Sequence, residues 1–266
     1  TARLFATLDA SAKYLTAFYA VPFLVWARYA VHLVVMLVAV APSQGRALIA
    51  TRHPWLMVVR ALLLCALTLF AQLAFRVLPL AETTAIVFIT PLLVALLAGP
   101  MLGETVTKKS WLATLAGFAG VMLITRPGSN LDPTGVACAL AGAVCYALYQ
   151  ILTRRLAASE TPLRQLFYTA LIGTLAMSLV LPGVWPATLP TPFELLLLVG
   201  LGLCGGIGHF LLIRALRETP ASLLAPLLYV QLVWAALLGW WVFGDVPDAW
   251  TALGMGIIGA SGLSLV

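Results

Sequence analysis

Ala74-Phe75-Arg76-Val77-Leu78-Pro79-Leu80-Ala81-Glu82-Thr83-Thr84-Ala85 is the stretch on which the reading of this chain turns. Set 141 positions further on, Ala74-Phe75-Arg76 falls on Ala215-Leu216-Arg217, and Pro79 falls on Pro220. The echo continues: Gly103-Glu104 falls on Gly244-Asp245 and, after a two-residue gap, Trp111, Gly117 and Gly120 fall on Trp250, Gly256 and Gly259. Generic apolar helices do not share a Gly-acid turn together with matched Trp and Gly positions. The chain therefore reads as two copies of one unit, residues 1–126 and 134–266, meeting near Pro127 to Pro133.

Composition says where such a unit lives. Of 266 residues, 62% are hydrophobic and only 9% are charged. A soluble domain carries about a quarter charged residues, so this chain cannot cover a water-facing surface. Long unalternated runs such as Leu33 to Val40 and Leu195 to Cys204 exclude an outer-membrane barrel, whose strands alternate. The net charge of +6 comes from Lys and Arg scattered in ones, twos and threes. No basic stripe marks a nucleic-acid partner.

Ten helices at about 20 residues each use roughly 200 positions, leaving short connections and no room for a large soluble domain. Pro, Gly and charge clusters divide the chain into spans at 3–19, 22–40, 55–77, 80–101, 109–125, 134–153, 162–181, 193–213, 220–243 and 248–266. The fold class is all-α integral membrane: ten transmembrane helices in two five-helix halves. With the N-terminus inside, inner loops hold Arg46, Arg52, Lys108, Lys109, Arg154, Arg155, Arg164, Arg214 and Arg217. Outer loops hold only Arg76 and Arg126, beside Asp132, Asp245 and Asp248. That bias puts both termini in the cytoplasm.

Five is odd, so the second half lies inverted relative to the first. Inverted repeats build alternating-access transporters with a midplane site between the halves. Cys65, Cys138, Cys145 and Cys204 sit in apolar runs at no metal or redox spacing and read as free thiols. No cleavable signal is visible, and a start at Thr1 predicts a short missing N-terminal piece.

Leu78-Pro79-Leu80-Ala81-Glu82-Thr83-Thr84-Ala85, Thr90-Pro91, Leu102-Gly103-Glu104 and Gly117-Phe118-Ala119-Gly120-Val121 resemble an EamA-type half. A weaker second copy runs from Pro220-Ala221-Ser222 through Phe243-Gly244-Asp245. End to end, the chain resembles the ten-helix drug/metabolite transporter superfamily, which includes YddG-like amino-acid and metabolite exporters of the bacterial inner membrane. The resemblance implies a small-metabolite substrate, most directly amino acids leaving the cell. It also implies a path lined by spans one, three, four, six, eight and nine, with five and ten packed peripherally. Uptake of a small metabolite is an alternative, because the second-span sequence Trp26-Ala27-Arg28-Tyr29 is similar to that of related importers. The second copy has Leu232 where the first has Pro91 and carries Pro226 opposite Ala85, so a kink at one matched place is not expected in both.

Candidate functional residues are the polar and aromatic groups at membrane depth. Asp9 and Lys13 lie one turn apart on one face of the first span. They suit either a polar substrate or proton site or a self-compensated ion pair. His32 suits a proton relay or a hydrogen-bonded packing role, and Arg28 and Arg60 are expected to snorkel to the interfaces. Glu82 suits the helix dipole after Pro79. The repeat pairs Phe88 with Tyr229 and Thr90 with Gln231. Residues two apart point to nearly opposite sides, so Phe88 and Tyr229 are assigned to the cavity and Thr90 and Gln231 to interhelical hydrogen bonds.

Tyr146, Tyr149, Gln150 and Thr153 form a stripe on the sixth span that suits substrate contact or an interfacial aromatic belt, the belt more for Tyr149. His209 follows Gly202, Gly205, Gly206 and Gly208, which suit close helix approach or local unwinding beside a site. Gly117, Gly120, Gly256 and Gly259, on the fifth and tenth spans, suit helix–helix contact. There is no HExxH, no GxSxG, no phosphate loop and no paired-carboxylate motif, so neither an enzyme nor a cofactor is implied. Two rival readings are proton-coupled efflux of organic cations through Asp9 or Glu82 and an integral-membrane acyl or lipid transferase; a passive channel is disfavoured by the repeat.

Overall fold

The computed structural model describes residues 2–124, 126, 131–221, 223–224 and 229–264. Among them every regular element is helical: α1 (Ala2–Leu15), α2 (Val21–Val35), α3 (Pro54–Phe75), α4 (Leu80–Val87), α5 (Thr90–Leu102), α6 (Lys108–Ile124), α7 (Pro133–Leu156), α8 (Pro162–Ser178), α9 (Pro192–Glu218), α10 (Val230–Leu238) and α11 (Ala249–Leu263). The helix of α2 continues through a π-helical turn at Met36–Val40. Five stretches among the described residues are long and apolar enough to cross a membrane: Val21–Leu48, Pro54–Phe75, Leu80–Leu102, Pro133–Leu156 and Pro192–Glu218.

Local chemistry sets the ends. Pro opens α3, α7, α8 and α9 at the first helical position, where its missing N–H has no partner to lose. Asp132, Thr161, Thr191 and Asp248 cap α7, α8, α9 and α11 by accepting backbone N–H groups, and Thr191 with Glu194 completes a capping box. Gly103 and Gly244, with φ of 69° and 72°, turn the chain out of its helices in the left-handed region.

These boundaries keep the spacing seen in the sequence. Leu15 and Leu156 close α1 and α7, Val21 and Pro162 open α2 and α8, and Gly103 and Gly244 stand at the matching turns, each pair 141 residues apart. One expectation needs correction. The fourth span is not one helix, because it breaks at Phe88–Ile89 and restarts at Thr90. Pro91 has no N–H to offer the carbonyl of Val87, and the Thr90 hydroxyl donates to that carbonyl instead at 2.6 Å. A turn also stands at Tyr229, immediately before α10 and 141 residues after Phe88. Pro226 and Ser222, like most of the 127–133 junction, lie outside the described residues.

Packing brings α3 against α7 and α8, α1 against α9 and α10, and α2 against α8 and α9. The largest apolar cluster, around Phe88, Tyr146, Tyr149, Leu212 and Tyr229, lies where α4, α7, α9 and the start of α10 converge. The pair α6 and α11 packs along Gly120 and Gly254, where a Cβ on either would sit 2.6 Å from the other's carbonyl oxygen. Gly256 and Gly259, expected at a helix contact, have no neighbour within 4 Å of a Cβ position among the described residues. At the α7–α8 corner, Glu160 accepts from the Thr51 hydroxyl, the Arg52 N–H and the Arg164 guanidinium at 2.6–3.0 Å. Burial pushes that carboxyl up, but these donors more than offset it and hold its pKa below the ordinary glutamate value.

Candidate functional site

The site is a cavity of about 70 Å³ enclosed by α1, α2, α3, α4, α7, α9 and α10. Glycine makes room for it. The Cβ position of Gly205 lies 2.9 Å from Arg28 Nε, and that of Gly208 lies 2.6 Å from the Phe5 ring. Only bare backbone lets α9 pass this close to α1 and α2 and bring His209 to the cavity wall.

Opposite charges face this space. Asp9 on α1 accepts from Gln231 Nε2 at 2.8 Å, and Arg28 on α2 has Nη2 3.1 Å from His209 Nε2. A guanidinium has no lone pair, so His209 accepts from it and carries its own proton on Nδ1, which lies 3.3 Å from the Tyr149 hydroxyl. Tyr149 in turn accepts from Arg60 Nη2 at 2.9 Å. Among the described residues neither Asp9 nor Arg28 pairs with a side chain of opposite charge. Gln72 lines the same cavity, buried, with both amide atoms unpartnered. Phe5, Phe88 and Tyr146 supply aromatic walls.

Asp9, Phe88, Tyr146, His209 and Gln231 thus converge on one cavity, and three expected residues do not. Lys13 is not paired with Asp9: its ammonium donates to Leu78 O at 2.9 Å and lies 3.4 Å from Asp245. The α1 helix carries it a turn past the cavity, where a loop acid is within reach. Tyr229 meets Phe88 edge-on at 5.6 Å, but its hydroxyl runs over Gly117 on α6 instead of into the cavity. Its turn conformation aims it outward, and Gln231 takes the inward position that had been assigned to Tyr229. Gln150 is fully buried with both amide atoms unpartnered and is absent from the cavity wall. It lies one turn beyond Tyr146 on the same face of α7, past the end of the cavity lining. Thr90 donates across to Ala143 O at 3.2 Å as an interhelical bond.

Further corrections concern the cations. Arg28 does not snorkel but forms the cavity wall, and Arg60 is fully buried, bonded to Thr153, Gln165 O, Thr169 and Tyr149 at 2.7–3.0 Å. Tyr149 is fully buried as well, which excludes an interfacial belt position. His32 is buried against Gly206, with Nε2 unpartnered among the described residues. Sequence reasoning missed Gln72 and Thr68. The signal was present, because an amide and a hydroxyl one turn apart interrupt an otherwise apolar α3. Positions 141 apart meet here too: Phe5 and Tyr146, and Thr68 and His209, all line the cavity.

The wider comparisons agree with this architecture. The EamA-like transporter family matches twice, over residues 1–126 and 133–266. The chain is 29% identical over 215 residues to an S-adenosylmethionine uptake transporter of Rickettsia bellii, covering 80% of this chain and 73% of that protein. A riboflavin transporter of Vibrio cholerae is 29% identical over 181 residues, covering 68% and 60%. A crystal structure with 22% sequence identity superposes with a TM-score of 0.73 over 98% of this chain and 94% of its own, which shows the shared fold. Matched in both halves, this multi-pass membrane protein belongs to the EamA-like transporter family and is a transporter, not an enzyme.

Proposed function

We propose that the protein carries a small zwitterionic metabolite, an amino acid or a molecule bearing an amino-acid head, by alternating access at the Asp9–Arg28 cavity. The observation that carries this is an acid and a base, Asp9 and Arg28, lining one buried space with no ion pair to either among the described residues. Leaving either charge without a counter-charge in low dielectric is costly. A ligand that presents an ammonium to Asp9 and a carboxylate to Arg28 relieves both at once. Gln72 offers a free donor and acceptor beside them, and the aromatic walls tolerate varied side chains, which suits broad selectivity. The similarity to an S-adenosylmethionine transporter supports the reading, because that molecule carries an amino-acid head on a large remainder.

The architecture that goes with it is ten spans in two inverted halves, 1–126 and 134–266, in a bacterial inner membrane with both ends in the cytoplasm. The 141-residue spacing of helix boundaries and the double family match support it. Export is the direction implied by the resemblance to amino-acid exporters. Uptake is the second reading, favoured by the named uptake relative. The site residues are Asp9, Arg28, Gln72, Phe88, Tyr146, His209 and Gln231.

Counterflow of amino acids, nucleosides and quaternary amines in proteoliposomes tests the proposal. Amino acids are expected to exchange, with Asp9→Asn and Arg28→Gln each lowering exchange at least about tenfold, the size of one lost charge-assisted contact. Exchange of quaternary amines alone, abolished by Asp9→Asn, replaces this reading with cation efflux. No exchange of any solute removes it.

A further inference from the structure

At about 70 Å³ the cavity is far below the roughly 300 Å³ of an ordinary small-molecule site, so a substrate fits only when it widens. Two ion pairs stand just beyond the cavity. One turn past Asp9, Lys13 lies 3.4 Å from Asp245 in the turn that follows α10 and its π-helical end, and donates to Leu78 O at the corner between α3 and α4. At the end of α7, Arg154 lies 3.0 Å from Glu104 in the turn after α5, and donates to Leu216 O and Arg217 O at the end of α9, 2.9 Å each.

The two constructions match member for member. Lys13 and Arg154 are 141 residues apart, and so are Glu104 and Asp245. Each acid follows the left-handed glycine that ends its helix, and each base also donates to backbone carbonyls near a Pro corner, Lys13 to Leu78 O in the corner itself and Arg154 to Leu216 O and Arg217 O in the last turn of α9. Each acid takes the base of the other half, so both pairs cross between halves.

We infer that Lys13–Asp245 and Arg154–Glu104 are two symmetry-related latches, one closing the cavity toward each face of the membrane. The inference rests on the alternating-access reading above. Under the Lys and Arg bias, Lys13–Asp245 closes the outer side and Arg154–Glu104 the inner side. Their exposure suits the task. The side chains are 16% and 33% exposed in the first pair and 26% and 13% in the second, so water competes for them and each pair can open and reform. Arg60, fully buried with four bonds, is the contrasting permanent tie. Both latches are formed in this structure, consistent with its small cavity.

The test reads access without needing the substrate. Ala71 lines the cavity; Ala71→Cys, in a chain with Cys65, Cys138, Cys145 and Cys204 changed to Ala, is labelled with a membrane-impermeant maleimide in right-side-out and inside-out vesicles. Asp245→Asn is expected to raise labelling from the outer face by roughly twofold to fivefold, the worth of a partly exposed ion pair, and not from the inner face. Glu104→Gln is expected to do the reverse. The charge-keeping Asp245→Glu and Glu104→Asp are expected to keep the parent pattern. Neutral variants that leave labelling unchanged, or shift both faces alike, overturn the latches and leave the transport reading standing. A cysteine labelled from neither face in the parent or any variant overturns both.

Discussion

Arg28 and Arg60 sit on neighbouring helices and are handled in different ways. Arg60 spends its guanidinium on the Thr153 and Thr169 hydroxyls, the Tyr149 hydroxyl and the Gln165 carbonyl, and stacks over the Tyr149 ring at 4.5 Å. It knits α3, α7 and α8 together and leaves nothing for a ligand. Arg28 has the His209 ring nitrogen and otherwise faces the cavity. Truncation should separate the two roles. Arg60→Ala leaves several buried polar groups unpartnered and a void, and is expected to destabilise the protein by about 3 kcal/mol or more, read as a lower melting temperature in detergent. Arg28→Gln is expected to keep stability within about 1 kcal/mol, because the amide still reaches the cavity wall, while losing exchange. The sequence placed both arginines in apolar spans and pointed them to the membrane interfaces. It could not assign their roles, because their partners lie on other helices 89 to 181 residues away.

At the scale of elements, glycine spacing and end chemistry decide how helices meet. On α6, Gly120 touches Gly254 backbone to backbone, and no side chain there can rotate aside. Gly120→Ala is therefore expected to separate α6 from α11 and lower the melting temperature, at a cost of about 1–3 kcal/mol for overpacking. Gly256→Ala, with open space around the Cβ position, is expected to be neutral or to stabilise by about 0.5–1 kcal/mol through helix propensity. Equal effects in a thermal unfolding comparison would overturn the assigned contact face.

Asp248 ties the same helix pair where α6 ends and α11 begins. It caps α11 and accepts from Arg126 at 2.6 Å, and that hydrogen bond, with those from Thr251, holds its pKa at about 2 instead of 3.8. A depressed carboxyl contributes stability above its unfolded pKa and loses it as pH falls through the folded one. Asp248→Asn, which keeps a cap, is expected to melt below the parent at about pH 6 and together with it at about pH 2. The helix ends were legible in the sequence because Pro, Asp, Thr and Gly act within a few residues. The contact face of α11 was not, since Gly254, Gly256 and Gly259 lie on more than one face of a 3.6-residue period.

For the whole molecule, the cavity and the two latches make one coupled device, and a ligand bridging Asp9 and Arg28 should be felt throughout it. An exchanged amino acid at a hundredfold excess over its Kd is expected to stabilise the folded protein by about 2.7 kcal/mol. The double variant Asp9→Asn/Arg28→Gln should show none of that thermal shift. The sequence by itself determined the membrane location and the helical class and pointed to two related halves, because burial in lipid and helix capping act locally; the break at Phe88–Ile89 was seen only in the fold. It also drew attention to Asp9, Phe88, Tyr146, His209 and Gln231 as costly or matched groups at depth. Only the tertiary structure decided that Asp9 faces Gln231, 222 residues away, that Lys13 belongs to Asp245, and that Tyr229 and Gln150 turn from the cavity. The physical reason is that a buried polar group must find its partner in space, and helix packing, not chain order, chooses which groups are within about 3 Å.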